Sequence, residues 1–307
     1  LAFSADGNQL ACNGDRIIHL WNPQTGQAHT DIGPRPRART SVSLAPDGKR
    51  VLSNGGGNAV RIWDVATRQA LTTLDTSDVV QAVGFSPDGK WIAGAVDKRI
   101  RLWDSTGKFL ADWDGPDETI TALAFTGDGA TLATGSRDGV AVWIWRVADG
   151  EPILLIPDAL DGCSIESLAF LPDNNTLAVA GIDWMATGGS NGAVSLWNLA
   201  ERAEVATFLD GASAVAVHPS GDTVASASLD HSICLWDVSL KQLQQELIGH
   251  DGPVTALAFS PDGTLLVYAS RYETQTGLRV RNLQTGADRR LAWPVQRDEM
   301  ESGGSPS

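Results

Sequence analysis

A four-residue turn recurs along this chain at a nearly constant interval, and no other feature limits its fold as tightly. Ser-Pro-Asp-Gly stands at 86–89 and again at 260–263. Weaker copies are Ser-Ala-Asp-Gly at 4–7, Ala-Pro-Asp-Gly at 45–48, Thr-Gly-Asp-Gly at 126–129, Leu-Pro-Asp-Asn at 171–174 and His-Pro-Ser-Gly at 218–221. Taken at the third position (Asp6, Asp47, Asp88, Asp128, Asp173, Ser220 and Asp262), the steps are 41, 41, 40, 45, 47 and 42 residues. Self-similarity at this period marks a repeated supersecondary unit of about 40–45 residues, the size of a four-stranded propeller blade.

A second landmark follows each turn. Trp21-Asn22, Trp63-Asp64, Trp103-Asp104, Trp145-Arg146, Trp197-Asn198 and Trp236-Asp237 lie 14 to 23 residues after the turn's last position; the seventh unit has Arg281-Asn282. Ahead of these landmarks apolar residues alternate, as Ile100 and Leu102 do before Trp103, and period two belongs to strands. Short apolar runs also precede the turns, as in Val80 to Phe85 and Val254 to Phe259. Each unit therefore reads as four strands: a before the Asp-Gly turn, b after it, c ending at the Trp, and d beyond a Thr-Gly type turn such as Thr25-Gly26 or Thr106-Gly107. Glycine supplies the positive φ that such tight turns need. One four-stranded sheet cannot bury both faces, but seven stacked radially can. The expected fold is all-β, a seven-bladed β-propeller of four-stranded antiparallel blades over residues 1–293, with a flexible polar tail at 294–307.

These residues resemble the WD-repeat β-propeller family over nearly the whole chain. Trp103-Asp-Ser-Thr-Gly-Lys108 also resembles the docking element of quinoprotein propellers, but the order of Trp-Asp before the turn favours the WD type. The resemblance implies a hydrogen-bonded tetrad in each blade: a His before strand a, a Ser or Thr in strand b, an Asp in the b–c turn, and the strand-c Trp. Blade 6 offers Ser226, Asp230 and Trp236, with Phe208 near the place of the His; blade 4 offers Thr134, Asp138 and Trp145. The Gly249-His250 dipeptide falls in blade 7, which lacks the Trp, so no blade has a complete set.

The chain is acidic, with 37 Asp and Glu against 23 Lys and Arg and a formal net charge of −14. Such a surface repels phosphate backbones, which argues against nucleic-acid and anionic-membrane partners. No apolar run is long enough for a membrane-spanning helix. Three separated cysteines (Cys12, Cys163, Cys234) exclude a disulfide framework and a Cys-based zinc site. No His-Glu-x-x-His, Gly-x-Ser-x-Gly or phosphate-loop pattern occurs, and the five histidines are scattered. The repeated Asp recurs at one structural place and reads as a turn cap rather than a catalytic pair.

Recognition is the better prospect. The family places b–c turns and d–a loops on one face around the channel mouth, and partner peptides mostly bind there. Positions preceding the b–c Asp are Val96, Arg137 and Leu229. In blade 5 the span from turn to Trp is 23 residues, and the extra segment near Val179-Ala-Gly-Ile-Asp-Trp-Met185 should emerge on that face. Trp184 and Met185 suit an apolar anchor; the competing reading folds Trp184 back over a neighbouring blade. Arg35, Arg37 and Arg39, three arginines in five residues, read as a clamp for a carboxylate or phosphate, or as a solvated loop.

The expectation is a non-catalytic protein–protein interaction scaffold or sensor: cytoplasmic, monomeric, without cofactor or metal, and with protein or peptide partners. A chain starting at Leu1 also reads as part of a longer protein. The alternative is a propeller with a hydrolase or small-molecule site in its channel.

Overall fold

The computed structural model describes residues 1–14, 17–33, 41–54, 58–115, 117–137, 141–160, 162–183, 191–209, 212–228, 230–248, 252–270 and 277–291. Within them lie seven four-stranded sheets and no helix, each sheet in sequential strand order. The first strands are Ala2–Phe3, Val42–Leu44, Val80–Phe85, Ile120–Phe125, Ser164–Phe170, Ala212–Val217 and Val254–Phe259. These strands a touch one another in succession, and the seventh touches the first, which closes the ring. Every blade is contiguous in sequence, as the repeat implied; none borrows a strand from elsewhere in the chain.

Radial order follows from burial. Strand b is covered on both faces by neighbouring blades, so Trp91–Val96, Thr131–Ser136 and Thr223–Ser228 are buried along almost their whole length. Sheets buried on both faces need continuous apolar runs rather than alternation. Strand d is the outer edge, and Ala70–Asp75, Phe109–Asp114 and Gln242–Leu247 are mostly exposed.

One contact recurs at the blade-to-blade seams, except between blades 6 and 7, where Arg281 replaces the Trp. A single buried residue of strand d packs against the strand-c Trp of the next blade. Ile32 shares a cluster with Trp63, and Leu74 with Trp103. Trp113 stacks on Trp145 at 6.2 Å, and Phe208 on Trp236 at 4.6 Å. Leu291 of blade 7 packs with Trp21 of blade 1, so the closing seam uses this joint too. Trp21, Trp63, Trp103 and Trp145 are fully buried; Trp197 and Trp236 are half-buried.

A buried indole N–H needs an acceptor. Trp63 donates to Ser53 Oγ at 3.0 Å, Trp145 to Thr134 Oγ1 at 2.9 Å and Trp236 to Ser226 Oγ at 2.8 Å. Trp197 instead reaches the Ala159 carbonyl of the preceding blade at 3.2 Å. In blade 1 the hydroxyl's place is taken by Cys12. Burial pushes its thiol up to about 12, opposed by the Leu1 amino group and the Trp21 N–H.

The tetrad in blade 6 does not assemble as expected. Asp230 accepts the Ser232 N–H at 2.9 Å and the Ser232 hydroxyl at 2.7 Å, and so caps its own turn instead of supporting Trp236. Phe208 occupies the expected His place, but by stacking on the indole. Asp138 and His250 lie outside the described residues.

The repeated turn Asp is a cap. Asp88 accepts the Ser86 hydroxyl at 2.6 Å and the Lys90 N–H at 3.1 Å; Asp128 and Asp262 repeat the pattern with Thr126 and Ser260. These donors favour the charged form, so Asp6, Asp128 and Asp262 sit below the ordinary carboxylate value. The Asp or Asn that follows the Trp in blades 1, 2, 3, 5 and 6 does similar work at the c–d turn, as Asn22 accepts from Gln24 and Thr25 and Asp237 from Leu240.

Candidate partner-binding face

The b–c turns and d–a loops meet at one end of the ring and brace each other. Asp97 N–H donates to the Val79 carbonyl at 3.2 Å, and Ile120 N–H to the Asp97 carbonyl at 2.9 Å. Thr119 hydroxyl donates to Asp97 Oδ1 at 3.1 Å, while Arg137 N–H reaches the Thr119 carbonyl at 3.3 Å. The loops between blades 3 and 4 are thereby held as one array.

Beneath this array a cavity of about 360 Å³ opens along the channel. Strand a carries a β-bulge near its start in blades 3 to 7, which leaves Gln81, Thr121, Glu166, Ser213 and Thr255 out of the strand register. Four of them, Gln81, Thr121, Glu166 and Thr255, line the cavity together with Arg137. Some hydroxyls at this level hold the ring: Thr121 donates to the Ile165 carbonyl of the next blade at 2.7 Å, and Ser213 to that of Val254 at 2.6 Å. The bulge residues escaped the sequence reading. Their signal is a polar residue at one fixed place in five apolar strands, Val80-Gln81, Ile120-Thr121, Ile165-Glu166, Ala212-Ser213 and Val254-Thr255.

Arg137 is exposed, lines the cavity, and makes no side-chain hydrogen bond or ion pair among the described residues. Val96 is a correction. It is only 3% exposed and packs in the core with Val80, Ile92 and Trp103, because its place in strand b faces the adjoining blade. Blade 5 is a second correction. Thr176–Asp183 and Asn191–Asn198 form long paired strands, so Val179 to Asp183 extend the sheet rather than a loop; the pairing runs to Asp183 opposite Asn191, two residue pairs further than in blade 3. Trp184, Met185, Leu229, and Arg35, Arg37 and Arg39 lie outside the described residues. Exposed apolar side chains on the same face are Val79, at 53%, and Ile248, at 76%; the second had no signal in the repeat.

His218 Nδ1 lies 2.5 Å from Ser220 Oγ and 3.6 Å from Asp222, but Nε2 is engaged by the Gly263 carbonyl at 3.1 Å. This His holds a turn against the next blade. Among the described residues no group of three or more His, Cys, Asp or Glu could hold a metal ion.

A rigid ring of four-stranded repeats that holds loops over a channel defines a class of protein: a repeat scaffold for protein interaction. The family model described as "WD domain, G-beta repeat" matches residues 1–22, 68–104, 107–143, 204–237 and 241–272, more than half of the chain, and the chain belongs to the WD40 family. The matched segment 68–104 starts at the outer strand of blade 2 and ends at Trp103-Asp104, so the sequence repeat is offset by one strand from the blade. The chain is 25% identical over 277 residues to a WD repeat-containing protein 26 homolog of Arabidopsis thaliana, which covers 85% of this chain and 44% of that protein. It is 25% identical over 142 residues to small ribosomal subunit protein RACK1y of Oryza sativa subsp. japonica, covering 44% of this chain and 42% of that protein. The chain thus spans less than half the length of either relative.

Proposed function

We propose that this propeller is a non-enzymatic module, monomeric and cytoplasmic, that engages protein or peptide segments on the face over the channel mouth, with Arg137 as its charged anchor. The observation that carries this reading is Arg137 itself: an exposed guanidinium without a side-chain partner among the described residues, at the rim of a polar cavity, in a chain of net charge −14. A desolvated guanidinium with neighbouring apolar contacts is the usual content of an energetic hot spot. Val79 supplies an apolar contact on the same face, and Trp184, Met185 and Leu229 are proposed as the further apolar contacts. Three free buried cysteines suit a reducing compartment. The acidic surface disfavours direct nucleic-acid contact.

The test is affinity capture with the propeller, followed by calorimetric titration of the captured partner at low and high salt. Arg137→Ala combined with Trp184→Ala is expected to cost roughly 2–4 kcal/mol of binding with the fold intact. Normal binding by that variant, with binding abolished when Arg35, Arg37 and Arg39 are changed to Ala, would move the interface to the basic loop. That interface would weaken steeply with salt.

A further inference from the structure

The c–d turns differ at one residue, and that residue decides how closely adjoining blades meet at the rim. Its φ is positive in each described turn. It is glycine in blades 1, 3, 4 and 7 (Gly26, Gly107, Gly150, Gly286) but Arg68, Arg202 and Lys241 in blades 2, 5 and 6. Where it is glycine the turn can press on the preceding blade. A Cβ at Gly107 would come within 2.8 Å of Leu74 and 3.1 Å of Ile62, and one at Gly26 within 3.3 Å of Leu291. Arg68, at φ 63°, carries a Cβ in the left-handed region, which L-residues occupy at a cost.

Beside Arg68 the seam stays open. A groove of about 230 Å³ lies between blade 1 and the blade 2 turn, lined by Gln9, Leu20, His29, Val65, Ala66 and Arg68. Leu20 holds in blade 1 the register place that Ile62 holds in blade 2, each one residue before the strand-c Trp. The groove is therefore the space that the Gly107 turn fills one seam further on.

Cations at other seams are already spent on backbone. Lys241 Nζ donates to the Val205 carbonyl at 2.8 Å, Arg50 to that of Ser105, and Arg289 to those of Pro23 and Gln24. Arg68 is exposed and makes no side-chain hydrogen bond or ion pair among the described residues. Next to it the Gln9 side-chain oxygen is sealed from solvent without a partner, and a buried polar atom in that state calls for one.

We infer that this groove binds one carboxylate carried on a short aliphatic arm. The Arg68 fork takes the carboxylate through two N–H donors. Leu20, Val65 and Ala66 receive the arm. Gln9 lines the same groove, and its side-chain NH₂ offers the carboxylate a further donor. The space is below that of a drug-sized site, so it suits a side chain or a small acid. A free aliphatic acid and a glutamate on a partner polypeptide present this same chemistry. The site is separate from the channel mouth and stands or falls without it.

The test is a titration of the ¹⁵N-labelled propeller with butyrate, with butyramide as the uncharged counterpart, and with a capped Ala-Ala-Glu-Ala-Ala peptide. Butyrate or the peptide should give saturable shifts at the amides of Gln9, His29, Ala66 and Arg68, and butyramide none. Saturation by the peptide alone assigns the carboxylate to a polypeptide, and by butyrate alone to a free acid. Arg68→Gly should weaken binding about tenfold or more. It should melt no lower than the wild type, because glycine fits the left-handed position. Gln9→Ala should weaken binding less. The inference is overturned if neither acid saturates, if butyramide matches butyrate, or if Arg68→Gly binds as well as the wild type.

Discussion

In blade 6 the strand-c residue before the turn is Trp236, and its indole donates to Ser226 on strand b. In blade 7 the same place holds Arg281, and the strand-b place holds Tyr268, whose hydroxyl donates outward to Asp288 on strand d. The large ring has moved from strand c to strand b. Tyr268 is 1% exposed and lies in the core shared with blade 6. Asp288 sits between two cations, with Arg279 Nε at 3.3 Å, close but not aligned as a hydrogen bond, and Arg281 at 3.9 Å. The two blades show that a seam requires aromatic volume and a satisfied donor, and that the Trp of the repeat is one way to supply both.

The largest expected effect tests whether Tyr268 carries in blade 7 what Trp236 carries in blade 6. Tyr268→Ala and Trp236→Ala should each destabilise by about 3–5 kcal/mol, the range for emptying an aromatic core position. Arg281→Ala should cost less than about 1 kcal/mol, since its pairing with Asp288 is long and partly solvated. Urea midpoints at constant slope measure all three. If Arg281→Ala proves as costly as Tyr268→Ala, the comparison breaks, and strand c carries blade 7 after all.

A smaller effect separates volume from hydrogen bonding. Tyr268→Phe keeps the ring and removes the donor to Asp288, at an expected cost of about 1–3 kcal/mol. Burial, with Asp288 adding to it, pushes the Tyr268 phenol above its ordinary value. A pKa raised in the folded state contributes stability that is fully present below the unfolded value, near ~10, and is lost as pH rises through the folded value. Wild-type stability should therefore fall above about pH 10, and Tyr268→Phe should flatten that fall. An identical alkaline slope in both proteins would show that the phenol does not titrate with unfolding.

The fold was legible because its signals are local and repeated. An Asp that caps its own hairpin must lie two residues from its hydroxyl partner, as Asp88 does from Ser86, so spacing alone exposes it. The Trp–hydroxyl pairs could also be found, because strands b and c are adjacent in register. What escaped depends on contacts between blades. Val96 looked like a loop-end residue and is core, because the adjoining blade covers it. The bulge that turns Gln81 and Glu166 toward the channel leaves only a polar residue in an apolar strand as its trace. The open groove at Arg68 appears only when its turn is compared with the Gly107 turn one blade on.

The smallest effect lies inside blade 6 and decides which polar residue supports the Trp. The family tetrad assigns that support to Asp230, whereas the hydrogen bonds assign it to Ser226. Ser226 is fully buried, and Ser226→Ala leaves the Trp236 N–H without its acceptor. Orphaning a half-buried donor should cost about 1–2 kcal/mol. Asp230 is exposed, and among the described residues it bonds within its own turn, to Ser232 and through its N–H to Ser228, where water can replace the lost partners. Asp230→Ala should therefore cost less than about 1 kcal/mol. Because burial opposes the turn's hydrogen bonds at Asp230, and its pKa is nonetheless lowered, whatever stability it adds is present above the unfolded carboxylate value and disappears as pH falls through the folded one. Thermal melts of both variants at neutral and acid pH give the answer. If Asp230→Ala unfolds earlier than Ser226→Ala at neutral pH, the carboxylate reaches the indole through a route the hydrogen bonds do not contain, and blade 6 is built on the tetrad.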